Sequence, residues 1–229
     1  MDAPSATPTD RAAARLLAVQ MLSPAFPTGG FAYAQGLEWA MSQGVVADGA
    51  ALAEWLRDLL AHGALWSDAV LLSLALRRDA DPAALDDLAR ALCQSAERLT
   101  ETVEQGAAFA RTAAALCGAP SLPAALPATL PATLPVAVGR ALGPLPLPPA
   151  ELIALFLHGQ ALNLVLAAVR FMPLGQTQGQ TVLARLAPDI LRAADRAAVA
   201  TDADLGGCAI GADIAQMRHE TMQTRIFRS

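Results

Sequence analysis

The sequence predicts an all-α protein, and three observations carry that prediction. Its composition is 54% hydrophobic but only 4% aromatic, with an excess of Ala and Leu that favours helices approaching closely through small side chains. Apolar residues recur at helical spacing, and no segment shows the alternation of a half-buried strand. Helix-starting residues, such as Asp48 and the pair Asp81-Pro82, stand just ahead of these periodic runs. At 229 residues the chain is long enough to bury a substantial core.

Residues 1–9 are expected to be a disordered lead-in, without the apolar stretch or cleavage pattern of a signal peptide. The helix carrying Leu16, Leu17 and Leu22 must stop near Ser23, because Pro24 and Pro27 remove donors and push their predecessors out of the α region. Gly29 and Gly30 then let the chain turn and re-enter a helix through Phe31, Tyr33, Leu37 and Trp39. The product is a rigid elbow that displays side chains at a helix start. Leu52, Trp55, Leu56, Leu59, Leu60 and Gly63 form one stripe after the cap Asp48. Asp81 and Pro82 open a helix with Leu85, Leu88 and Leu92. Glu97 to Leu116 reads as a long helix through Leu99, Val103, Gly106 and Ala110, ending near Gly118.

Residues 120–133 repeat a Leu-Pro-Ala pattern with a proline in each would-be helical turn, so a Pro-rich loop within one domain is expected there. Ala150 to Val169 is the most apolar stretch and approaches the roughly 20 residues of a membrane span. His158, Gly159, Gln160 and Asn163 in its middle favour instead a buried central helix, apolar all round because other helices surround it. That reading makes His158 a core or interface histidine.

Several functions are disfavoured by what the chain contains. A formal charge of −5 without a clustered basic run gives no electrostatic footprint for nucleic acid or an anionic membrane. All sixteen basic residues are Arg, so no lysine serves a phosphate-binding loop, a Schiff base or general-base catalysis. Cys93, Cys117 and Cys208 are odd in number and widely spaced, which fits a reducing cytoplasm better than a disulfide framework or zinc site. His62, His158 and His219 lack the spacing that sets two ligands on one helical face. Ser23, ahead of a proline, is read as bonding a nearby backbone donor. Asp202 and Asp204 are read as cap and turn residues before Gly206-Gly207. No catalytic residue, cofactor or metal is predicted.

The segment from His219 to Ser229 mixes Arg225 and Arg228 with Met222, Ile226 and Phe227. It is too apolar for a free tail and too short for a core of its own, so residues from about 217 to 229 are expected to fold on a partner.

Four stretches together resemble the UreF family of urease accessory proteins. The elbow Ser23-Pro24…Pro27-Thr28-Gly29…Phe31…Gly36-Leu37-Glu38 is similar to that family's signature. So is the ending His219-Glu220…Arg225-Ile226-Phe227-Arg228-Ser229. Glu104-Gln105-Gly106 with Phe109, and Val169 to Gln180, agree with its central helix and a helix-to-helix junction; beyond these four, Leu134 to Arg140 agrees with a helix start. The resemblance implies a single-domain bundle of roughly ten helices. It implies a dimeric, non-enzymatic maturation factor that joins UreD (also called UreH) to the GTPase UreG and couples GTP hydrolysis to nickel delivery into apo-urease. Partner-binding roles fall to Phe31, Tyr33, Glu38, His219, Glu220, Arg225, Ile226, Phe227 and Arg228, while Leu37 and Trp39 are assigned to packing. Ala34 stands where the family commonly has Ser, and Ile226 where it has Leu, the latter a volume-conserving change. Two other readings are a membrane-associated helical protein, from Ala150 to Val169, and a metal-dependent enzyme built on His219, Glu220, Asp202 and Asp204.

Overall fold

A computed structural model describes residues 7–116 and 132–228. Residues 1–6 of the expected lead-in, 120–131 of the Pro-rich loop, Cys117 and Ser229 lie outside the described residues. Helix α1 (Pro8–Leu22) begins earlier than the lead-in allows: Thr7 caps it in a reciprocal capping box with Asp10, and Pro8 occupies the first turn. It ends at Ser23, whose hydroxyl accepts from the amide of Ala25.

The elbow differs from the expected helix re-entry. Gly30–Ala32 forms one 3-10 turn, and α2 (Leu37–Ser42) starts only at Leu37. The reason is a reversal at Gln35 and Gly36, with φ of 52° and 75°, which no continuous right-handed helix accepts. Phe31 and Tyr33 therefore sit before the helix. A Cβ on Gly36 would lie 2.5 Å from the backbone nitrogen of Gln216, so the glycine also lets the elbow touch the last helix. Phe26 is carried into the core by the two prolines and packs on Phe109, ring centroids 5.3 Å apart.

Helices α3 (Gly49–Ala61) and α5 (Pro82–Ala91) are capped by Asp48 and Asp81, each side chain accepting two amides of the first turn. Between them lies α4 (Ala64–Ala75), which no sequence stripe marks because it is buried on all sides, packed by α3, α5, α7, α8 and α9. The remaining helices are α6 (Ala96–Ala115), α7 (Leu134–Leu142), α8 (Pro149–Phe171), α9 (Gln176–Ala198) and α10 (Ile210–His219), with a 3-10 turn at Asp202–Asp204. The described residues thus form ten α-helices and no strand.

The central position expected for α8 belongs to α4. Helix α8 packs on α9 and is crossed by α1, α2 and the elbow turn, but only half of its most apolar window is buried. Leu155 and Leu162 are half-buried and His158 is exposed, so His158 is not a core residue. Helix α8 is long and apolar enough to cross a membrane by length and composition alone. Gly159 lets α1 come close, since a Cβ there would run into the carbonyl of Leu22.

Candidate functional site

Two segments nearly two hundred positions apart converge on one surface. Glu38 enters from the first turn of α2 and is almost fully buried. Its Oε1 accepts the amide of Ile226 at 2.7 Å, and its Oε2 accepts that of Phe227 at 2.8 Å. Backbone donors of the tail thus satisfy a carboxylate that burial would otherwise penalise heavily. His219, the last residue of α10 and 0% exposed, places Nε2 3.1 Å from Glu38 Oε2 and Nδ1 2.7 Å from Glu97 Oε2. The other oxygen of Glu97 accepts from Arg225 at 2.5 Å.

The tail is fastened at three further points. The amide of Arg228 donates to the carbonyl of Ala32 at 2.8 Å. The guanidinium of Arg228 makes a two-pronged contact with Glu104, 2.6 and 3.0 Å, and lies 5.1 Å from the Tyr33 ring centroid. Tyr33 donates its hydroxyl to the same carboxylate at 2.5 Å. Arg228 first and Tyr33 second hold Glu104 below the ordinary carboxylate range, whereas burial, with Glu104 as neighbour, pushes the Tyr33 hydroxyl up. Phe227 is buried beneath Arg170, 4.7 Å from ring centroid to guanidinium carbon, and Arg170 also donates to the carbonyl of Phe31. Glu220 reaches the other way and accepts the amide of Ala96 at the start of α6, 2.7 Å.

The order expected to come from a partner is therefore supplied within the chain: residues 217–228 lie on its own α2, α6 and elbow. The physical reason is that Glu38, Glu97 and Glu104 already offer the carboxylates that Arg225, Arg228 and the tail amides require. Glu38, Tyr33, His219 and Phe227 are buried, so they reach another protein only through what they hold in place. Phe31 and Ile226, at 65% and 69% exposure, stand out from the same surface beside the exposed Arg225 and Arg228. A cleft of about 300 Å³ opens between the tail arginines and α6, lined by Tyr33, Glu97, Thr100, Glu220, Arg225 and Arg228.

Beneath the site lies a polar layer the sequence did not disclose. Arg98 pairs with Asp68 at 2.5 Å and with Glu101 at 3.1 Å, all three buried. Burial raises the Asp68 carboxyl even though Arg98 opposes it. For Arg98, burial acts to lower the guanidinium, but Asp68 and Glu101 outweigh it and hold it up. Gln35 and Gln105 both donate to Glu101, tying the elbow to α6. Ala34 is wholly buried here, so a serine at this place would hold its hydroxyl inside the fold.

The residues of the enzymatic reading do not come together. Asp202 and Asp204 build a 3-10 turn, Asp204 closing a capping box with Thr201, while His219 is sealed between two carboxylates. Among the described residues no group of three His, Cys, Asp or Glu is arranged to hold a metal ion.

Comparison with known proteins identifies the family. A sequence model described as UreF matches residues 46–187, more than half of the chain. The urease accessory protein UreF of Paracoccus denitrificans (strain Pd 1222) is 62% identical across 95% of this chain and 97% of its own length. That of Cereibacter sphaeroides (strain ATCC 17023) is 56% identical across 95% and 99%, and that of Mesorhizobium japonicum 44% identical across 97% and 98%. The match over more than half of the chain and identities of this size over nearly its full length show that the chain belongs to the UreF family of urease accessory proteins.

Proposed function

We propose that this chain is a cytoplasmic scaffold in urease maturation, joining UreD/UreH to the GTPase UreG so that GTP hydrolysis is coupled to nickel delivery into apo-urease. The observation that carries this reading is the meeting of elbow and tail: the two most distinctive segments of the sequence build one surface, fixed by Glu38, with Phe31 and Ile226 projecting from it. Large apolar side chains beside arginines, over a rigid and fully hydrogen-bonded base, have the composition of interface anchors. Glu38, Tyr33, His219, Glu220 and Phe227 set the shape of that surface, and Phe31, Arg225, Ile226 and Arg228 make the contacts. The buried Asp68–Arg98–Glu101 layer stiffens the base.

A homodimer belongs to the same reading. Leu16, 72% exposed, and Val19 lie on the outer side of α1, which packs against α8, whose Leu155 and Leu162 are half-buried. An apolar stripe over two adjacent helices suits a second copy of the chain.

The test is co-purification of Phe31→Asp and Ile226→Asp with UreD and UreG. Both residues are exposed, so the variants keep the fold while losing one or both partners. Capture of both partners at the unaltered level would overturn the assignment.

A further inference from the structure

We propose that Glu38, His219 and Glu97 form a proton-operated latch on the tail: residues 222–228 stay down while this trio carries one proton more than a neutral histidine supplies, and lift when it is lost. Each ring nitrogen of His219 faces a carboxylate oxygen, Nδ1 at 2.7 Å and Nε2 at 3.1 Å. A neutral imidazole has one N–H and one lone pair. One of the two contacts would then set a lone pair against a carboxylate at a histidine that is 0% exposed. A second proton, shared between the imidazole and the carboxylates, removes that conflict whichever atom holds it.

Charge balance points the same way. The groups facing His219 are Glu38 from α2, Glu97 from α6 and, through Glu97, Arg225 from the tail. Two carboxylates against one guanidinium leave a single negative charge in a buried site, which the extra proton cancels. Neighbouring charges are engaged elsewhere: Glu220 on the amide of Ala96, Glu101 with Arg98, Gln35 and Gln105, while Arg218 faces outward.

The latch is tied to the tail by Glu38 itself. The oxygen that receives His219 also receives Phe227, and its companion receives Ile226. When the tail lifts, Glu38 and His219 meet water and no longer need the proton. Docking and proton uptake are therefore linked, one proton for each tail held, which makes the docking constant fall about tenfold per pH unit over the range where the lifted trio has lost the proton and the docked trio still holds it. This device regulates the surface assigned above to partner binding and rests on that reading for its consequence, though not for the lifting itself.

The experiment is a pH titration of the full chain, labelled with ¹⁵N, between about pH 5 and pH 9, following the His219 ring nitrogens and the amides of Ile226 and Phe227 by NMR. The expected result is that both ring nitrogens are protonated or hydrogen-bonded to a shared proton while the tail is down, and that ring and amides change together. A docked tail over a single-N–H imidazole at every pH, or a tail indifferent to loss of the proton, would overturn the latch. Glu97→Gln gives a second, independent reading. Its amide can donate to Nδ1, so a neutral histidine suffices and docking becomes insensitive to pH in this range. An unaltered pH response in that variant would also overturn the proposal. Capture of UreD and UreG on either side of the transition separates the two ideas. Capture that follows the tail supports both, whereas lifting without loss of capture leaves the latch standing and removes the partner assignment.

Discussion

Glu38 and Phe227 are 189 positions apart in the chain, yet the carboxylate of the first accepts the amide of the second at 2.8 Å. Two backbone donors, from Ile226 and Phe227, converge on this one side chain beside the ring nitrogen of His219. Replacing Glu38 by Ala therefore strands buried donors and is expected to cost about 3 kcal/mol, the scale of unmet buried hydrogen bonds. Thermal unfolding reads the loss, and faster hydrogen exchange at Ile226 and Phe227 locates it.

Removing residues 226–229 acts from the other side. The bundle core does not use these residues apart from Phe227, so far-ultraviolet circular dichroism is expected to keep its helical signal. Glu38 loses its two tail amides and Arg170 its ring contact with Phe227, and co-purification with UreD is expected to disappear. A deletion that still captured UreD would show that the tail is not the contact.

Acid is expected to loosen the tail by a separate route. Glu104 is held below the ordinary carboxylate value by Arg228 and then Tyr33, so its contribution is fully present above about pH 4.3, the unfolded value. It is lost as pH falls through the lower folded value. Glu104→Gln should remove this acid-side response, measured as tail amide exchange, while leaving the bundle's unfolding midpoint nearly unmoved because the pair is largely exposed.

The buried ion layer should behave differently. Arg98→Met leaves Asp68 and Glu101 facing each other without their cation, and the expected destabilisation is about 3–5 kcal/mol. Urea denaturation checks it, and Asp68→Asn in the same background should recover part of the loss by removing one stranded charge.

Leu16→Asp probes self-association. A charge on the exposed face of α1 is expected to shift the chain from dimer to monomer in light scattering, with the helical signal kept and an unfolding temperature that no longer rises with protein concentration. A persistent dimer would place that interface elsewhere.

Much of the fold could be read from local signals, because those signals act locally. Asp48 and Asp81 mark helix starts by accepting amides two and three residues on, and Pro24 marks an end through its own ring. Helix α4 was silent because a helix packed on every side has no polar face to set a period. The tail shows the same limit at the site. Its arginines and apolar residues signalled that it docks, but its docking place is made by carboxylates on α2 and α6, distant in sequence and chosen by the fold. His219 is assigned from the sequence to partner binding, and only the bundle brings Glu38 and Glu97 to its two nitrogens. The reversal at Gln35 and Gly36, which moves Phe31 and Tyr33 out of α2, depends on the approach of Gln216 and has no local sign beyond the glycine.

The distance in sequence between Glu38 and its tail donors has a consequence during synthesis. A ribosome that has released α1 to α9 has already made nearly all of the core, but the elbow still holds an unmet carboxylate. Only translation through Arg228 closes it. A chain that stopped before Ile226 would thus be compact yet lack the two amides that fill Glu38, so the elbow takes its final form only after the tail has been made.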